Sequence, residues 1–353
     1  MYKPLTKDIY ISVTRKCNFA CGHCYCKDYL SDKTVPTLKK IDHCLSFIQK
    51  LTHLKSITLI GGEPFINKRN LFYLLDSINA INRQRKEKIK VVIFTNGSIC
   101  IDLHKYKGLI EEIIVAIAGF GEGHDRIRFY KKTNRGSFKN IVKNFNHYVQ
   151  QGLYIRFQYV VNQKNITQLF PSIENIIQEI PVLPGPIGVQ FDHFTPWGKY
   201  PFKIIGYYFD ILRLNKKYKK LIVVPHHFAQ VDNTYVCTAG TSFFGIDLYS
   251  GKIHGCHENN GSAKDIIGNI TQGISTKKIN TNMHMRNLRK YKYAGIPRQI
   301  SYYLFKIFGG KICPMRNKHH CKNTFTIPLY FLFIHIFVHL FRSLTKKDNL
   351  PLL

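Results

Sequence analysis

Short apolar runs alternate with amphipathic ones through the first 195 residues, and this alternation constrains the fold more than anything else in the chain. Ile9–Val13, Ser56–Ile60, Lys90–Thr95, Ile113–Ile117, Tyr154–Val161 and Gly188–Phe191 are short and rich in β-branched and aromatic residues, which reads as strands. Between the first two, Leu38, Ile41, Leu45 and Ile48 recur at helical spacing, and Leu71–Ile81, Phe138–Val149 and Ile166–Ile180 fill later gaps with helical pattern. Repeated strand–helix alternation predicts an α/β domain with parallel strands and crossover helices. Periodicity alone leaves both an open doubly wound sheet and a barrel standing.

After Trp197-Gly198 the alternation stops. Residues 1–198 therefore form the expected core domain. Residues 199–324, irregular and basic with four cysteines, read as a second domain. Residues 325–353 are an apolar and then basic tail. Its charge-free run Phe325–Phe341 falls short of the roughly 20 residues of a comfortable membrane span. With Pro328, His335 and His339 inside it, the run packs on the domain or lies at a membrane surface.

Lys and Arg number 52 against 21 Asp and Glu, a net charge of +31. Such a balance favours polyanionic partners: nucleic acid, anionic membrane or an acidic peptide. Lys, Asn and Ile are abundant throughout, so part of the excess is a compositional bias. No apolar run follows the basic residues of Met1–Tyr10, which reads as no signal peptide and a cytoplasmic chain. In a reducing compartment the ten cysteines point to metal binding or packing rather than disulfides.

Cys17, Cys21 and Cys24 follow the first strand in the spacing C-x3-C-x2-C. Three thiolates on one loop suit an iron–sulfur cubane, whose iron prefers sulfur. Three ligands leave one iron open, where an electron-transfer ferredoxin would close all four. Zinc sites usually pair C-x2-C with a distant second pair, and a zinc site is the alternative.

This spacing, with His23 just before the last cysteine, resembles the defining motif of the radical S-adenosylmethionine (SAM) superfamily. The resemblance implies a [4Fe–4S] cluster on Cys17, Cys21 and Cys24 whose open iron chelates S-adenosylmethionine. The cofactor is then cleaved to a 5′-deoxyadenosyl radical that abstracts a hydrogen atom. Gly61-Gly62-Glu63-Pro64 resembles the family's glycine-rich motif, and Thr95-Asn96-Gly97 ends the third strand as in many relatives. By the same resemblance His23, Gly61, Gly62, Glu63, Pro64, Thr95 and Asn96 are cofactor-binding. Ala118–Glu122, His124–Arg128, Asn165 and Phe194–Gly198 fit too. Relatives usually carry serine and aspartate where this chain has Ala116 and Ala118. The implied fold is a partial (β/α)6 TIM-like barrel with its site at the C-terminal mouth of the strands.

Cys237 and Cys256 bracket Gly251 in the pattern C-x13-G-x4-C, and Cys313 and Cys321 follow. Asp247–Ile253 reads as a hairpin turning at Gly251. The arrangement resembles the SPASM extension or its shortened twitch form. The middle cysteine group is missing, because Tyr291–Ile312 contains no cysteine. The resemblance then implies one auxiliary [4Fe–4S] cluster on Cys237, Cys256, Cys313 and Cys321, with structural zinc as the alternative. Cys44 lies on the apolar stripe of the first helix and reads as core. Cys26 reads as merely near the triad. Cys100, near the mouth, is a candidate hydrogen donor, as in peptide epimerases of this family.

These features are similar to those of radical SAM enzymes that mature peptides through a cross-link, a thioether or an epimerisation. The partners expected from the resemblance are a peptide or protein substrate, a reducing electron donor and a separate peptide-recognition protein. Two other readings stand beside it. One is an RNA-modifying radical SAM enzyme that uses the basic surface on phosphates. The other is a membrane-associated iron–sulfur electron-transfer or sensor protein that uses the tail, which would place the chain peripherally at the membrane.

Overall fold

A computed structural model describes residues 6–24, 26–31, 35–180, 182–191, 213–214, 216–218, 222–223, 243–255 and 266–275. Within them the expected alternation forms. The strands are β1 (Asp8–Thr14), β2 (Ser56–Gly61), β3 (Lys90–Thr95), β4 (Ile110–Ile117), β5 (Ile155–Val161) and β6 (Ile187–Phe191). The main helices are α1 (Leu38–Gln49), α2 (Lys68–Arg83), α4 (Phe138–Gln150) and α5 (Leu169–Glu179), with one short turn of helix, α3 (Glu122–Asp125), after β4. β4 begins earlier than its apolar run, because a register shift against β3 brings Glu112 into the ladder.

Helix starts follow local chemistry. The Thr37 hydroxyl caps α1 by accepting from Lys40 N, and the Asn67 carbonyl oxygen does the same for α2 from Asn70 N. At α4 the cap comes from elsewhere: Asp125 Oδ1 accepts from Ser137 N at 2.7 Å and Phe138 N at 2.9 Å.

The parallel strands stand in sequence order, β1-β2-β3-β4-β5-β6, followed by a short β7 (Ile222–Val223). An order that never reverses steps every crossover in one direction. Right-handed crossovers then put every helix on one face, which excludes the doubly wound alternative and gives a partial barrel. Burial agrees. Ile9, Ile11 and Val13 of β1 and Ile155, Phe157, Tyr159 and Val161 of β5 are sealed beneath the helices, each contributing about 2 kcal/mol of burial. The alternate residues Tyr10, Thr58, Val92, Phe94, Arg156 and Val160 are only half-buried on the opposite, concave face. Ring contacts fix which face meets which helix. Phe157 of β5 stacks on Phe145 of α4, with centroids 4.1 Å apart.

The chain later returns to the free edge of β1. β8 (Phe243–Asp247) pairs with it in parallel, Ser12 beside Asp247. β9 (Lys252–His254), β10 (Ile266–Asn269) and β11 (Gly273–Ile274) continue that side of the sheet antiparallel. The β8–β9 hairpin is the one read from the sequence, and Gly251 turns it at φ +73°. The apolar tail, the stretch Phe194–Gly198 and Cys237, Cys256, Cys313 and Cys321 lie outside the described residues. No helix among the described residues is long and apolar enough to cross a membrane.

Candidate active site at the barrel mouth

The triad sits on the loop from Arg15 to Ser31, at the C-terminal end of β1. Ser31 N donates to Arg15 O at 3.0 Å and closes the base of this loop. The descending segment Ile127–Lys131 laces its side. Ala20 N donates to Phe129 O, Gly22 N to Ile127 O, and Lys131 N to Asn18 O at 2.8 Å. Phe19 packs edge-on against Tyr130. All three cysteines are half-buried and free. Burial pushes the Cys17 thiol up to about 12 and the Cys24 thiol up as well, so in the apo loop these two stay protonated until a metal displaces the proton.

The glycine pair lies against the same loop. Gly62 N donates to Thr14 O at 2.9 Å, and Glu63 N to Lys16 O at 2.7 Å. A Cβ on Gly62 would stand 2.1 Å from Lys16 O and 3.0 Å from Cys17 Cβ. Only a glycine admits the backbone this close to the first cysteine. Pro64 then opens a short 3-10 turn.

Glu63 is fully buried, and its oxygens are occupied within the protein. Oε1 accepts from Phe65 N at 3.0 Å and Thr95 Oγ1 at 2.7 Å, while Oε2 accepts from Asn96 N at 2.7 Å. Burial raises its pKa, although these bonds oppose the shift. Glu63 thus ties the end of β2 to the end of β3. Asn96 extends the chain of contacts: its Nδ2 donates to Asn18 Oδ1 at 2.9 Å and lies 4.0 Å from Cys17 Sγ. Asn18 Nδ2 donates to Ser98 Oγ at 2.8 Å. The structure therefore brings Cys17, Gly62, Glu63, Thr95 and Asn96 into one connected cluster.

His23 is half-buried with its Nδ1 buried and unpartnered, and desolvation together with the positive charge of Arg128 holds its pKa down at about 3. His124 has a structural place. It accepts from Ala118 N through Nδ1 at 3.2 Å, and Nε2 lies 3.1 Å from Ser137 Oγ, whose hydroxyl donates to Arg128 O. With Nδ1 accepting, the ring proton sits on Nε2. Burial raises the pKa of the half-buried Cys100 thiol, and the charges of Lys68 on α2 and Lys143 on α4 oppose the shift. Cys44 is fully buried in the core.

Several residues of the site carried no signal in the sequence. Asn18 and Ser98 read as ordinary loop polars. Arg128 read only as part of a segment, yet it is buried beside the triad loop. Gln158 is buried on the concave face between register partners Ala116 and Gly188. Arg156 Nη1 donates to Gln158 Oε1 at 2.7 Å while its Nε donates to Glu112 at 2.6 Å. Gln158 Nε2 has no partner.

The residues fit a cubane. Three soft thiols share one loop, Gly62 lets the neighbouring strand end pack directly against it, and a buried imidazole nitrogen stands without a partner. Among the described residues no three His, Cys, Asp or Glu side chains converge on one ion. A cubane instead gives each thiolate its own iron, so one shared loop suffices.

A partial barrel with a three-cysteine loop at the C-terminal mouth of its strands is an arrangement that known proteins share. Residues 11–165 match the model of the radical SAM superfamily, a stretch that holds the triad and Gly61–Asn96. Among relatives, the chain is 27% identical over 177 residues to Fe-coproporphyrin III synthase of Methanosarcina barkeri, covering 48% of this chain and 40% of that one. It is 27% identical over 181 residues to GTP 3′,8-cyclase of Staphylococcus carnosus, covering 48% and 50%. The chain thus spans about half the length of these relatives. In fold it is similar to native anSMEcpe with bound AdoMet and the Cp18Cys peptide, at a TM-score of 0.68 and 15% identity over 97% of this chain and 100% of that one. It is also similar to Streptococcus suis SuiB bound to precursor peptide SuiA, at a TM-score of 0.59 and 14% identity over 80% and 66%. At such identities the likeness concerns the fold alone.

Proposed function

We propose that this chain is a radical SAM enzyme that cleaves S-adenosylmethionine and abstracts a hydrogen atom from a peptide or protein. The observation that carries the reading is the half-buried triad, laced to Ile127–Lys131 and backed by the Gly62 cradle. When bound, the cluster and cofactor supply the electron and the radical. The protein's residues hold and shield them. Cys17, Cys21 and Cys24 hold the cluster. Gly61 and Gly62 let the end of β2 close against the backbone at Thr14 and Lys16, next to Cys17, and Glu63, Thr95 and Asn96 fix the two neighbouring loops relative to Cys17. Peptide chemistry is supported by the two structural neighbours, both described with a peptide bound. A small-molecule substrate is the second reading, favoured by the names of the sequence relatives.

The proposed domain division is a core of residues 1–198, an auxiliary-cluster domain of 199–324 on Cys237, Cys256, Cys313 and Cys321, and a tail of 325–353. Two clusters would load about 8 iron atoms, and the auxiliary one about 4. Anaerobically reconstituted and reduced protein should convert S-adenosylmethionine to 5′-deoxyadenosine. Replacing Cys17, Cys21 and Cys24 together by Ala should abolish this and leave about 4 iron atoms. Unchanged turnover in the triple variant overturns the proposal, and zinc in place of the remaining iron overturns the auxiliary cluster alone. Incubation with GTP, and separately with peptides encoded beside the gene, discriminates the substrate classes by which one gains a product dependent on S-adenosylmethionine.

A further inference from the structure

Arg128 is a buried cation that makes no ion pair among the described residues. It is only 6% exposed, and its Nε is buried without a hydrogen-bond partner. Its guanidinium lies 5.8 Å from the centre of the Phe19 ring, between the first two cysteines in sequence. Glu63 is near enough to feel its charge, but the oxygens of Glu63 are committed to Phe65, Thr95 and Asn96.

The position of Arg128 is imposed from three sides. Its neighbours Ile127 and Phe129 accept from Gly22 and Ala20 of the triad loop. Its own carbonyl accepts from Ser137 Oγ. Its N–H donates to His124 O at 2.9 Å. A guanidinium stays protonated in a protein. Burying it without a directly paired anion is unfavourable. A fold that fixes one so firmly therefore leaves a place for an anion at the triad loop.

We infer that Arg128 is the counter-charge of the anionic assembly that the triad holds, and that it eases the addition of an electron there. The inference rests on the proposed cluster. Three thiolates outweigh the positive charge of an oxidised cubane, and reduction makes the assembly more negative still. A fixed cation in a water-poor setting favours the more negative state. The carboxylate of S-adenosylmethionine is a second source of the same chemistry, so the test separates the two.

The full chain is reconstituted anaerobically, and the signal of the triad cluster is taken as the difference from the Cys17/Cys21/Cys24→Ala variant. Its midpoint potential is titrated without S-adenosylmethionine in wild type, Arg128→Lys and Arg128→Gln. Arg128→Met replaces the Gln variant if that one does not fold. The neutral variants should shift the potential to more negative values, and Arg128→Lys should lie near wild type. A neutral variant at the wild-type potential overturns the inference, as does Arg128→Lys shifting as far as Arg128→Gln. A fall in S-adenosylmethionine affinity with no shift in potential also overturns it and assigns Arg128 to the carboxylate. A wild-type spectrum identical to that of the triple-Ala variant instead overturns the cluster reading itself.

Discussion

Arg15 Nη2 donates to Asp247 Oδ2 at 2.6 Å, joining residues 232 positions apart. Arg15 stands two residues before Cys17 and closes the triad loop through Ser31, while Asp247 ends β8. The guanidinium is sandwiched between the rings of Tyr29, at 4.2 Å, and Tyr249, at 4.8 Å. Asp247 is 1% exposed and also accepts from Ser250 Oγ. The hairpin that precedes Cys256 therefore grips the base of the first cysteine loop. Replacing Asp247 by Ala leaves a mostly buried arginine unpaired and should destabilise the domain by about 3 kcal/mol, read as a lower urea midpoint.

The same pair has an acid limit. Burial raises the Asp247 pKa, but the bonds from Ser250 and Arg15 outweigh it, so the net shift is downward. A depressed aspartate contributes stability that is fully present above its unfolded value and is lost as pH falls through the folded one. Wild type should therefore lose this contribution only below the ordinary aspartate range. Below about pH 4, unfolding midpoints of Asp247→Asn should fall less steeply than those of wild type.

His124 sets a second limit, nearer neutrality. Burial, reinforced by Arg128, holds its pKa well below the usual histidine value. The unfolded chain then binds the extra proton, so stability is lost as pH falls below about 6.5. As pH falls from about 7.5 to 5.5 this one ring should progressively lower stability. His124→Gln should be less stable at pH 7.5 but flatter across that window in urea unfolding. Equal slopes for the two proteins would refute the assignment.

Glu63→Gln tests the tie between β2 and β3. Both carboxylate oxygens receive backbone N–H bonds, one from Phe65 and the other from Asn96. An amide must turn its NH2 toward one of those donors, which should cost about 2 kcal/mol. The readout is the thermal midpoint of the metal-free protein. Iron uptake by the triad should fall with it, because Asn96 orients beside Cys17.

Gly62→Ala drives a methyl group onto Lys16 O. Neither backbone can yield without moving Cys17, so a loss of about 1–3 kcal/mol is expected, with reduced iron per chain. A wild-type iron content and melting point would show that the cradle is not as tight as its geometry.

Much of the core and of the triad could be read from residue order. Each strand is announced by its own apolar run, and Leu38, Ile41, Leu45 and Ile48 mark the buried face of α1 without help from elsewhere. Cys17, Cys21 and Cys24 share one loop because seven intervening bonds of chain cannot carry them apart. Such features are local, so local sequence determines them. The barrel was not local: it follows from the order β1 to β7, which the pairing of distant edges decides. Nor does sequence distinguish Arg128 and Arg15, buried and partly buried beside the cysteine loop, from the many arginines and lysines on the surface. A charge becomes a counter-ion or a clamp only when remote segments remove its water. Asp247 meeting Arg15 is such an event, and only the tertiary structure brings it about.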